Sequence, residues 1–118
     1  MINPEMGQII LMNKPERQIM VLVLNSFPQH LLICEISPER IEGMKPVVLN
    51  NNHVRGLKLR IDFFINLLTL KIIRKDAVTR ILGKINTVKL GQVLRRIDWI
   101  ILGHLQFRRS RRESLSSS

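Results

Sequence analysis

The sequence predicts an α+β fold: a strongly curved antiparallel sheet or small β-barrel, followed by helices. Three observations carry that expectation. Short, β-rich apolar runs broken by Pro, Gly and Asn fill residues 1–70. The apolar spacing becomes helical only after that. The core is aliphatic, since 45 % of the 118 residues are hydrophobic and only 4 % aromatic. The length is that of one compact domain.

The elements follow in order. Residues 7–12 form a first apolar strand, and Asn13-Lys14-Pro15-Glu16-Arg17 is a polar turn around a proline. Residues 19–24 are the longest uninterrupted apolar run, which suits a strand buried on both faces. Ser26-Phe27-Pro28-Gln29 breaks the run, and residues 30–36 form the next strand. Residues 37–45 hold Pro, Gly and several charges and read as a loop. Residues 46–49 form another short strand. Asn50-Asn51-Asn52-His53 is a turn, because Asn tolerates left-handed backbone. Residues 60–70 form a longer strand.

The second part changes period. Residues 76–82 predict a short helix ended by Gly83. Residues 88–102 predict a longer one, capped by Asn86 or Thr87 and closed by Gly103. Leu90, Val93, Leu94, Ile97 and Ile101 share its apolar stripe. Trp99 falls nearly opposite, beside Gln92 and Arg95, which suggests packing against another subunit or partner. The domain is expected to span 1–107. The Arg- and Ser-rich residues 108–118 are expected to form a disordered basic tail.

Composition narrows the function. The single cysteine, Cys34, excludes an internal disulfide and fits a reducing, cytoplasmic setting. It lies in an apolar run, which makes it an inert core residue. No apolar run approaches the roughly 18 residues needed to span a bilayer, and no signal peptide is expected. The net charge of +10 is uneven. Residues 1–53 hold four Lys/Arg and five Asp/Glu, whereas 54–118 hold fifteen and four. Such asymmetry points to a polyanion: nucleic acid, an anionic membrane or an acidic protein. The tail has no amphipathic pattern or lipidation site, so no membrane role is expected.

The chain has no Gly-rich phosphate loop and no zinc spacing, and its three histidines are scattered. No metal or other cofactor is expected. What remains is a polar set in the β half: Lys14, Arg17, Ser26, Ser37, Arg40, Lys45, His53, Arg55 and Lys58. It suits metal-free RNA cleavage, in which the ribose 2′-hydroxyl attacks its neighbouring phosphate. That reaction needs a base, a proton donor and cationic stabilisation of the phosphorane. Arg offers a fixed fork of donors for phosphate oxygens. His53 is an outside candidate for acid–base work, since its ordinary pKa suits neutral pH.

The order of segments adds a resemblance. Gly7-Gln8-Ile9-Ile10-Leu11, then Val21-Leu22-Val23-Leu24-Asn25-Ser26 and Ile33-Cys34-Glu35-Ile36-Ser37, are followed by Leu67-Leu68-Thr69-Leu70 and Ala77-Val78-Thr79-Arg80-Ile81-Leu82-Gly83-Lys84-Ile85. In that order they resemble the MazF/PemK family of bacterial toxins, small endoribonucleases of toxin–antitoxin systems. The resemblance implies an SH3-like antiparallel β-barrel with a short helix and a C-terminal helix. It implies a homodimer that cleaves single-stranded RNA at a short sequence without metal, and an acidic antitoxin partner. It places Ser37 where the family has its active-site Thr or Ser. The family's catalytic Arg precedes a Pro; here Glu16-Arg17-Gln18-Ile19 makes Arg17 the nearest match. Lys14, Arg40, Lys45, His53, Arg55 and Lys58 are the expected RNA-binding residues. The alternative is a catalytically silent member that binds RNA or an antitoxin.

Overall fold

The apolar run 19–24 lies at the centre of the molecule, where two hydrophobic clusters meet. The computed structural model describes residues 2–43 and 45–116, with side chains as far as residue 101. The run belongs to strand β2 (Gln18–Ser26). Around it stand β1 (Gln8–Asn13), β3 (His30–Ser37), β4 (Val48–Leu49), β5 (Val54–Arg55), β6 (Phe63–Arg74) and β7 (Val78–Ile85). A C-terminal helix, α1 (Thr87–Ser116), follows. The strands form one seven-stranded antiparallel sheet, in the order β4-β6-β3-β2-β1-β7-β5, curled into a nearly closed barrel.

Burial on both faces of β2 is as expected. Leu22 and Leu24 enter the barrel interior with Ile9, Cys34, Ile36 and Ile65. Ile19, Val21 and Val23 face the other way, against Ile10, Met12, Leu31 and Ile33. Ile2, Ile73 and Ala77 pack onto this second cluster. Each buried aliphatic side chain contributes about 1.5–3 kcal/mol of transfer free energy. Cys34 is buried inside the barrel; burial first, then the charge of Glu35, pushes its thiol up to about 12. Such a thiol is inert at neutral pH.

Asn86 caps α1: its Oδ1 accepts the Lys89 N–H at 2.7 Å. Val93 is fully buried, and Leu90, Leu94, Ile97 and Ile100 pack around it. Ile101, expected on that stripe, is 48 % exposed, and Ile100 takes its place. The helix also continues past Gly103, its expected end, to Ser116. The side chains of the expected tail 108–118 lie outside the described residues.

One element is corrected. Residues 76–82 are not a helix but a 3₁₀ turn (Lys75–Ala77) running into strand β7. Two register shifts where β7 meets β1 break its inside–outside alternation, so its sequence lacks a strand's period. Gly83 does not end a helix either. It sits in β7 where a Cβ would collide with the Arg55 carbonyl and meet the Leu57 side chain at 3.0 Å. Only glycine lets β5 and the Leu57 segment cross so closely.

Candidate active-site groove

The polar turn between β1 and β2 is as tight as a hairpin allows. The Lys14 N–H donates to the Arg17 carbonyl at 2.8 Å, and the Arg17 N–H returns a bond to the Lys14 carbonyl at 3.3 Å. Only Pro15 and Glu16 lie between them, and proline presets the turn's backbone angle. Arg17 therefore emerges at the head of β2. Ser37 ends β3, one residue beyond the Met20–Ile36 pair. Twenty residues apart in sequence, the two line one open groove of about 380 Å³.

The Ser37 Oγ accepts the Glu39 N–H at 3.1 Å. That bond occupies a lone pair and leaves the hydroxyl proton free to donate into the groove. Glu35, two residues earlier on β3, shares its face and lines the same groove. Its Oε1 accepts from Lys14 Nζ at 3.1 Å. Lys71 stands close by. Burial first, then the neighbouring Lys14 ammonium, lowers its pKa, while Glu35 opposes the shift.

A bulge in β6 completes the wall. Glu35 pairs with Asn66 and Ile33 with Lys71, so Leu67 to Leu70 stand opposite Cys34 alone. The displaced ladder bond is replaced by a side chain: the Thr69 Oγ1 accepts the Glu35 N–H at 2.8 Å and donates to the Asn66 carbonyl at 2.7 Å. The Asn66 Oδ1 accepts the Leu68 N–H at 3.0 Å, which leaves its amide NH₂ as a donor at the groove. Phe63 adds an aromatic face.

The other expected residues stand elsewhere. His53 Nδ1 accepts the Asn50 N–H at 3.1 Å, and its carbonyl takes the Asn86 N–H at 2.8 Å. It ties the Asn turn to the foot of α1 and does not line the groove. Burial first, then Lys89, lowers its pKa, with Asp62 opposing. Arg55 pairs with Lys84 across β5 and β7. Lys58 lies in a loop that Asn51 clamps at Leu59 by two side-chain bonds. Arg40 is exposed in the β3–β4 loop. Lys45 lines a separate trough beside α1. Lys14 reaches the groove through Glu35. Sequence reasoning missed Glu35, Asn66, Phe63 and Lys71. The spacing of Glu35 and Ser37 on one strand signals the first of these; the others follow from the long-range pairing of β6 with β3. Among the described residues no three His, Cys, Asp or Glu side chains converge as metal ligands.

No protein-family profile matches the chain, and no curated protein sequence does. Solved structures do match. A MazE–MazF crystal structure from Deinococcus radiodurans superposes with a TM-score of 0.69 over 86 % of this chain and 97 % of that one, at 14 % identity. This chain has a MazF-like fold. An endoribonuclease in complex with its cognate antitoxin, from a mycobacterial species, superposes with a TM-score of 0.67 over 87 % of this chain and 96 % of that one, also at 14 % identity. The MazF-like barrel is thus the one that the order of segments led to. At this identity the likeness carries the fold alone.

Proposed function

We propose that this protein is the toxin of a type II toxin–antitoxin pair, a metal-independent, sequence-specific endoribonuclease acting on single-stranded RNA. One observation supports this reading above others. Arg17 and Ser37, selected from sequence, share an open groove with the Glu35 carboxylate, which is ion-paired to Lys14, in a MazF-like barrel. Arg17 holds two phosphate oxygens and stabilises the phosphorane. The Ser37 hydroxyl donates to a third. Glu35 accepts the 2′-hydroxyl proton as the 2′-oxygen attacks phosphorus. The bond to the 5′-oxygen breaks, and Lys14 protonates the departing oxygen. The products are a 2′,3′-cyclic phosphate and a 5′-hydroxyl end, and the Glu35–Lys14 pair then exchanges the proton it gained for the one it lost.

The protein acts as a cytoplasmic homodimer in this reading, and an acidic antitoxin occupies its basic surface. The test is incubation of the purified protein with single-stranded RNA in excess chelator. Cleavage at a short sequence, lost in Arg17→Ala and reduced in Ser37→Ala, is the expected result. Undiminished cleavage in both variants removes the site assignment. A second reading, a silent RNA- or antitoxin-binding protein, is favoured by the absence of an Arg-Pro pair at Arg17. Salt-sensitive RNA binding with no cut product selects it.

A further inference from the structure

The trough beside α1 has a composition that the groove does not share. Lys45, Gln92, Arg95, Arg96 and Trp99 line it, in an open space of about 370 Å³. The four helical residues fall on one face of α1, since positions three, four and seven apart align. Trp99 is 72 % exposed, the most exposed aromatic residue among those described. The described ion pairs are Lys14–Glu35 and Arg74–Asp76, so Lys45, Arg95 and Arg96 are left unneutralised among the described residues. Asp98, the nearest acid in sequence, lies about 100° round the helix from Trp99. The Arg95 Nε donates to the Gly91 carbonyl at 3.3 Å, which braces the guanidinium and leaves its outer nitrogens free.

We propose that Lys45, Arg95, Arg96 and Trp99 form a second RNA-binding surface, a shelf where one base stacks on the indole and the cations hold the flanking phosphates. This rests on the endoribonuclease reading and deepens it. The chemistry is that of single-strand binding: an aromatic face for any base and a cationic border for the backbone. The geometry favours RNA over an acidic peptide. A peptide docks by burying an apolar anchor, yet the apolar pit next to the shelf holds only about 20 Å³, room for about one water. Stacking needs no such pit. The groove and the shelf lie at the two ends of the β3–β4 connection, which runs from Pro38 at the groove to Lys45 at the shelf. An RNA bound at the groove can continue along that connection.

Trp99 is the only tryptophan, so its emission reports this face alone. The experiment titrates the full chain with a short 2′-O-methyl oligouridylate, which cannot be cut. The expected result is quenching of Trp99 emission as the oligonucleotide binds. Trp99→Ala then weakens binding, measured by anisotropy, roughly ten-fold, and Trp99→Phe restores most of it. Single-turnover cleavage of RNA at saturating protein stays unchanged in both. Binding with unaltered emission and equal affinity in Trp99→Ala overturns the shelf. So does quenching by polyglutamate but not by the oligonucleotide, which assigns the face to an acidic protein. Loss of the dimer in Trp99→Ala, with emission blind to the oligonucleotide, overturns it too and assigns the face to a second copy. Cleavage without quenching defeats the shelf alone, whereas quenching without cleavage defeats the catalytic reading alone.

Discussion

The groove and the shelf both hold cations, but they differ in what stands among them. In the groove a half-buried carboxylate, Glu35, lines the wall with Arg17, pairs with Lys14 and acts electrostatically on Lys71. On the shelf, cations and an indole line the surface without a carboxylate. A carboxylate beside a phosphate site weakens binding through like-charge repulsion, so it serves grip poorly. It serves proton transfer well. Under the functions proposed for the two places, the difference teaches that charge density and chemistry are separated: the shelf supplies affinity and the groove supplies rate.

That division breaks down if variants in both places change the same quantity. The largest expected effect is Arg17→Ala, which lowers single-turnover cleavage by about 10²–10³ and leaves affinity for uncleavable RNA nearly unchanged. Ser37→Ala removes one hydrogen bond to the phosphate and lowers the same rate by roughly ten-fold, read by the same assay. Replacing Arg95 and Arg96 together by Ala acts on binding instead. It flattens the slope of log affinity against log salt by about 0.7 for each phosphate no longer held, measured by anisotropy across a salt series.

How much of this was legible in the chain depends on how local the cause is. The two-faced burial of β2 was legible because six successive apolar residues leave a strand no exposed side. The cap on α1 was legible because Asn86 bonds to a neighbour three residues on. Strand β7 was not legible. Its register shifts against β1 are set by strands seventy residues apart, and they scramble the period on which a strand is recognised. The site divides in the same way. Arg17 and Ser37, singled out through the resemblance in the order of segments, line one groove, and each sits at a strand end. Asn66 and Phe63 reach the groove through the pairing of β6 with β3, a long-range contact with no local signature. His53 looked chemical from its ordinary pKa and proved to be a cap, its Nδ1 spent on Asn50.

Two pH experiments sharpen the contrast with smaller effects. Lys71 has a lowered pKa, so it loses its charge at a lower pH than an ordinary lysine. Single-turnover cleavage at saturating protein therefore declines a few-fold as the pH is raised toward the usual lysine range, and Lys71→Arg, which stays charged, abolishes that decline. His53 also has a lowered pKa, so the unfolded chain binds the proton more readily than the folded one. Its contribution to stability is fully present above the unfolded value of about 6.5 and is lost as the pH falls below it. Thermal melts from pH 7 to pH 5 are expected to show a smaller acid-induced drop for His53→Ala than for the parent protein.

The turn from Lys14 to Arg17 has a kinetic consequence. Two residues closed by two backbone hydrogen bonds cannot swing, and a segment this short cannot fold over the mouth of the groove. In the proposed function, RNA meets an entrance that stands open between turnovers. The rate of encounter is then governed by long-range attraction to the basic surface, and release by how firmly the flanking nucleotides are held. The proposed endoribonuclease carries no gate at that turn, so its turnover is expected to respond to ionic strength rather than to the motion of a loop.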